Sequence, residues 1–151
     1  MNKFMQIAID EAREGIRYND GGPFGAVIVK DGKVVGRGHN MVIATVDPTA
    51  HGEIEAIRDA CQRLGTFDLT GCEIYTTGYP CPMCFCAILW ANIEKVYYGC
   101  NTADTETIGF RDKNFEESIP KKMVEMCEEV DRSSCLQLYN EYSTLSDKTN
   151  Y

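Results

Sequence analysis

Apolar residues recur at intervals of three and four from Phe4 through Ile7, Ala8 and Ala12 to Ile16, the spacing that lines one face of an α-helix. Asn19-Asp20-Gly21-Gly22 closes that run with turn-forming residues. The period then changes. Residues 26–29 and 33–38 flank Asp31-Gly32, a two-residue turn that joins antiparallel strands because its residues tolerate positive φ. Asp47-Pro48 marks the start of the next predicted helix, with Asp47 placed to cap free N–H groups and Pro48 at the first position, where its missing donor costs nothing. Ile54, Ile57, Cys61 and Leu64 form the expected buried face of that helix, and Gly65 ends it. Residues 72–77 read as a third strand, and Pro80 and Pro82 open another helix. Its continuation, 85–90, is apolar nearly all round, as in a helix that is either enclosed or shared with a second subunit. Residues 96–99 predict a fourth strand, 123–127 a fifth and 134–142 a last helix. An opening hairpin followed by alternating helices and strands predicts an α/β fold, a three-layer α/β/α sandwich around a central five-stranded mixed sheet with right-handed crossovers.

At 151 residues and 44% hydrophobic content, residues 1–151 are expected to form one domain whose core needs no crosslinks. No run approaches the roughly 20 apolar residues of a membrane span. Residues 1–16 mix Lys3, Asp10, Glu11 and Arg13 into an amphipathic pattern unlike a signal peptide, so a cytoplasmic protein without membrane attachment is expected. Eight cysteines in such a chain read as reduced thiols. Six of them, Cys61, Cys72, Cys86, Cys100, Cys127 and Cys135, have apolar neighbours and are expected to be small buried hydrophobes. The formal net charge of −8 argues against a nucleic-acid partner, whose phosphates require a surplus of Lys and Arg. Lys121-Lys122 is too short to supply a local patch, which favours a small uncharged substrate.

The candidate chemistry lies in His51-Gly52-Glu53 and Pro80-Cys81-Pro82-Met83-Cys84. One imidazole and two thiolates make three ligands, and a zinc with three protein ligands keeps a fourth position for a water whose pKa falls to about 7. His51, Cys81 and Cys84 are therefore the expected ligands of one Zn²⁺ per chain, with Glu53 as the unliganded general acid and base. An H-x-E with a following P-C-x-x-C is the pattern of zinc-dependent nucleobase deaminases. A C-x-x-C alone also suits a redox pair or a closed structural zinc site, with His39 or another cysteine as fourth ligand. Residues two apart on a helix point about 200° from each other, so His51 and Glu53 share a site only where a metal sits just off the helix end.

Asp47-Pro48-Thr49-Ala50-His51-Gly52-Glu53, the Pro-Cys-Pro-Met-Cys segment and the apolar helix after it resemble the cytidine deaminase-like superfamily. Within it, residues 21–32, Ile108-Gly109-Phe110-Arg111-Asp112 and the terminal Tyr151 look most like small bacterial guanine deaminases. That resemblance implies hydrolysis of guanine to xanthine and ammonia, a strand order of 2-1-3-4-5 and a homodimer. The segment from about residue 130 to 151 would be exchanged between subunits, carrying Tyr151 over the neighbour's site. It also turns three other residues toward the substrate. Phe24, just before the first strand, would stack on a purine rather than only pack the core, and Asn40, just after the second, would read the base edge rather than only shape a turn. Asp112 would accept hydrogen bonds from ring N–H and amino groups. The sequence departs from that family at Gly52, where Ala is usual, and at Gly78-Tyr79, where a small or sulfur residue and Glu are usual. Guanosine, cytosine or another amino-heterocycle remain alternative substrates. Adenosine in tRNA conflicts with the acidic balance, and a non-catalytic zinc-binding or redox module has no use for the spare carboxylate.

Overall fold

The Asn2 side-chain oxygen accepts from the N–H groups of Phe4 and Met5, at 2.9 and 3.1 Å, and Asn19 turns left-handed at φ 57°. Helix α1 therefore runs Lys3–Tyr18, capped at both ends. The structure, a computed structural model, describes residues 2–149. Asp31 and Gly32 both have positive φ, 50° and 72°, and join β1 (Gly25–Lys30) to β2 (Lys33–His39) by the tight turn expected. After the short α2 (Val42–Thr45) come α3 (Gly52–Leu64), β3 (Cys72–Gly78), α4 (Pro82–Trp90), β4 (Lys95–Cys100) and α5 (Thr102–Thr107). Helices α6 (Asp112–Met126) and α7 (Arg132–Ser143) follow.

The sheet order is β2-β1-β3-β4, with β1 antiparallel to both neighbours and β4 parallel to β3. Strand β1 is buried on both faces, so it reads as an unbroken apolar run. Val27 and Val29 pack with Tyr75 under Ala8 of α1 on one face. Ala26, Ile28 and Ile74 pack with Ala56, Ala60 and Ile88 of α3 and α4 on the other, which gives the three layers.

Two expectations change here. Among the described residues the sheet has four strands, because 123–126 lies inside α6, with Cys127 just beyond it. A short apolar run does not distinguish strand from helix by period, and this one continues a helix that begins at Asp112. The buried face of α3 is also different: Ala56 and Ala60 are fully buried, Ile57 and Cys61 only partly, and Leu64 is 39% exposed. The cause is β2, where a Cβ on Gly36 would stand 2.6 Å from Ala56 O and Ala60 N. Only small residues on both elements allow that approach.

The chain falls into two compact units, residues 1–116 and 117–151. The first holds the sheet, α1 to α5 and the start of α6. The second holds the rest of α6 and α7, and no residue of α7 is buried. Among the described residues, no helix is long and apolar enough to cross a membrane.

Candidate active site

Two helix N-termini meet at the site. His51 is the N-cap of α3, in extended conformation at φ −72° and ψ 158°, and Glu53 lies in the first helical turn. Cys81 is the N-cap of α4, with Pro82 opening the helix and Cys84 in its first turn. Because His51 stands outside the helix proper, it escapes the angular rule that would set it opposite Glu53. The helix starts four residues later than Asp47-Pro48 suggested. Asp47 Oδ1 instead accepts from the Thr49 N–H and hydroxyl at 2.8 and 2.7 Å, a local turn that satisfies it without a helix. Gly52 lets α3 begin against the backbone of Phe24, whose carbonyl oxygen would stand 2.9 Å from a Cβ there.

Both sulfurs converge on one ring nitrogen: His51 Nδ1 stands 3.6 Å from Cys81 Sγ and 3.5 Å from Cys84 Sγ. Sulfur and nitrogen ligands on one tetrahedral zinc, at bond lengths of about 2.3 and 2.0–2.1 Å, would be about 3.6 Å apart. The donor set fits zinc in kind and in spacing. Among the described residues it is the one His/Cys/Asp/Glu cluster with metal-binding geometry, all its ligand atoms lying within 4.8 Å of one another. His39 is not part of it, which removes the closed-site alternative built on that residue.

The same convergence sets the local electrostatics. The neighbouring Cys84 thiol, and then His51, hold the Cys81 thiol down to about 4. Cys84 is pushed the other way by Cys81 and by burial. His51 is raised chiefly by its contact with Cys81. Glu53 is 7% exposed and its carboxyl is raised, first by burial and then by the charge on Cys81. Thr76 of β3 faces it, Oγ1 to Oε1 at 3.4 Å. Two helix dipoles add positive potential at this point, which favours thiolates and a developing anion.

A cavity of about 500 Å³ opens on the cluster, lined by His51, Glu53 and Cys81 together with Phe24, Asn40 and Asp112. All the expected site residues that the structure describes thus border or build one site, except that Cys84 lies behind its wall, fully buried. Tyr151 lies outside the described residues. Asn40 is 4% exposed, and its Oδ1 accepts from the Val42 N–H at 3.1 Å. Burial, and then the charge on Cys81, raises the Asp112 carboxyl. Phe110 was not foreseen: its ring meets Phe24 edge to face, centroids 4.8 Å apart, and lines the cavity. Its only sequence signal was its place within Gly109-Phe110-Arg111-Asp112. Tyr79 also lines the cavity, its ring set edge-on to Tyr98 at 5.0 Å. Of the six cysteines expected to be buried, Cys72 is and Cys61 partly is, whereas Cys86, Cys100, Cys127 and Cys135 are exposed.

Residues 1–100 match the family described as the cytidine and deoxycytidylate deaminase zinc-binding region. The guanine deaminase of Bacillus subtilis (strain 168) is 46% identical over 118 residues, 78% of this chain and 76% of that one. A tRNA-specific adenosine deaminase of Aquifex aeolicus is 44% identical over 95 residues, 63% of this chain and 62% of that one. A crystal structure of guanine deaminase from Bacillus subtilis superposes with a TM-score of 0.93 at 39% identity, covering 100% of this chain and 99% of that one.

Proposed function

Because the chain belongs to the cytidine and deoxycytidylate deaminase zinc-binding family, it is a zinc-dependent hydrolytic deaminase, and we propose that its substrate is free guanine, converted with water to xanthine and ammonia. The observation that carries the reading is a buried, unliganded carboxyl group, Glu53, beside a three-ligand nitrogen and sulfur cluster at the end of an aromatic cavity.

His51, Cys81 and Cys84 would hold the metal. Zinc, when bound there, supplies Lewis acidity and an acidified water. Glu53 takes one proton from the attacking water and passes it to the ring nitrogen, then takes the second from the hydroxyl of the adduct and delivers it to the amine as the C–N bond breaks, so the carboxyl ends the cycle as it began. Its low exposure and raised protonation preference suit a group that must hold a proton between two transfers. Phe24 and Phe110 offer apolar ring faces to a planar base, Asn40 an amide for its edge, and Asp112 an acceptor for ring N–H and amino groups.

A homodimer belongs to the same proposal, supported by the outer face of α4, where Phe85 is 44% and Leu89 58% exposed. So does a single deaminase domain whose segment from about residue 130 to 151 is exchanged between subunits, with Tyr151 over the neighbouring site. A cytoplasmic location is supported by the need of Cys81 and Cys84 for reduced thiols.

Ammonia release by the zinc-loaded protein from guanine, guanosine, cytosine and an adenosine-containing tRNA stem-loop tests the substrate. Guanine is expected to react fastest. Release from none of them, or thiol chemistry that survives Glu53→Ala, would return the chain to a zinc-binding or redox module. Deleting the last five residues is expected to cripple turnover with the melting temperature unchanged, and unaltered turnover would refute the lid.

A further inference from the structure

His39 lies outside the mechanism, yet each of its ring nitrogens has a carboxylate partner. Its ring is 14% exposed, with Nε2 2.9 Å from Asp20 Oδ2 and Nδ1 3.3 Å from Glu11 Oε2, two carboxylates that are 19% and 13% exposed. The other oxygen of Glu11 receives Arg37 Nε at 3.4 Å. Charged groups also border the cleft beside the ring from each surrounding element: Glu14 from α1, and Glu55 and Arg58 from α3.

Asp20 links this cluster to the substrate cavity. Its main-chain oxygen accepts from the N–H groups of Ile43 and Ala44 at 2.9 and 3.0 Å, and its own N–H donates to Gly15 O at 2.9 Å. Gly21, which follows, lines the cavity in close contact with Asn40, as does Ile43. The carboxylate of Asp20 thus holds by its side chain what its backbone holds on the cavity side. A second feature points to the same purpose. Gly15 sits in the last turn of α1, where glycine costs about 1 kcal/mol relative to alanine. A Cβ there would stand 2.7 Å from His39 Cδ2, so the glycine is what lets the ring lie against the helix.

We propose that His39 is a positioning residue for substrate binding: through Asp20 it fixes the wall formed by Gly21, Asn40 and Ile43, against which the base is held. Catalysis at Glu53 and the metal cluster does not pass through it. The assignment of the base as guanine rests on the function proposed above; the latch itself does not. Removing the latch therefore loosens binding and leaves the chemical step alone.

The test uses the full-length zinc-loaded protein carrying His39→Leu, Asp20→Ala or Asp20→Asn. Both the leucine and the alanine variants are expected to raise KM for guanine about tenfold, a loss of ~1.4 kcal/mol and the order of one net hydrogen bond, with kcat within about twofold. Amide hydrogen exchange at Ile43 and Ala44 should quicken by a similar factor, about tenfold, while zinc content stays the same. Asp20→Asn, which keeps an acceptor oxygen for the ring, should stay near the parent in all three. Unchanged KM and exchange in both Leu and Ala variants would overturn the proposal. So would a fall in kcat accompanied by faster exchange throughout the chain, which is what a merely structural histidine produces. If His39→Leu does not fold, Asp20→Ala decides alone. If the parent fails to turn over guanine, the substrate assignment falls, and exchange at Ile43 and Ala44 still decides the latch.

Discussion

Helices α3 and α4 present the same device, a site residue at the N-cap and a second in the first turn, but they are held in opposite ways. Helix α3 lies tight along the sheet, its Ala56 and Ala60 fully buried against the glycines of β2. Helix α4 buries only Cys84 and Ile88 and turns Phe85 and Leu89 outward. The difference follows what each contributes. Cys81 and Cys84 need only a fixed helix end, because a bound metal would orient both sulfurs. On α3, the same metal would orient His51, but Glu53 is not among its candidate ligands. The position of Glu53 depends on the backbone of α3, on the Thr76 hydroxyl 3.4 Å away and on the hydrogen bond between its carboxyl and the Cys84 thiol. On the proposed mechanism the clamped helix carries the mobile proton, and the loosely covered one carries ligands that would hold themselves.

The largest effect that separates the two helix ends comes from α4. Cys84→Ala removes a fully buried sulfur 3.5 Å from His51 Nδ1, so zinc content measured by mass spectrometry and turnover should both fall to background, with a lower melting temperature as metal stabilisation is lost. The matching change on α3 should divide the two readouts. Glu53→Gln is expected to lower kcat by about 10²–10⁴-fold, the usual worth of a positioned acid and base, while one zinc per chain remains. Zinc loss in that variant would make Glu53 a ligand and dissolve the contrast.

Smaller again is the effect expected at the cavity wall. Asp112→Asn removes the charge from the hydrogen bonds proposed to the ring N–H and amino groups. At about 1.5–3 kcal/mol for such bonds, KM for guanine should rise about ten- to a hundredfold with zinc retained. Undiminished guanine turnover would take Asp112 out of the site.

The cluster of His51, Cys81 and Cys84 was legible because its chemistry is carried by short segments whose residue types and spacing barely depend on the fold. The hairpin and α1 were legible because turn residues and period agree with one another. What escaped depended on partners distant in sequence. Asp47 was read as a helix cap because its use by Thr49 and its use by a helix begin with the same two residues. Leu64 was expected inside and Ala60 was not, since the need for small residues on α3 is written in Gly36 of another element. Phe110 reaches the site by packing on Phe24 from far along the chain, which no local pattern records. The fifth strand failed for a related reason: 123–127 has the right apolar content for a strand, and its continuity with a helix begun at Asp112 decides the matter.

The outer face of α4 gives the smallest effect in the folded subunit and the sharpest test of the contrast. Leu89 is 58% exposed, so Leu89→Ser should shift subunit stability by no more than about 0.5 kcal/mol, as surface changes do. Yet a leucine covered by a second copy loses water from its whole side chain, worth about 1.5–3 kcal/mol when burial is complete. Part of that loss alone would weaken self-association about tenfold. Sedimentation velocity across a dilution series reads this directly: the variant should dissociate at higher concentration than the parent while its melting curve at equal zinc content stays close. Equal association by both proteins would detach this face from any interface. The loose cover of α4 would then reflect only that its ligands require no more.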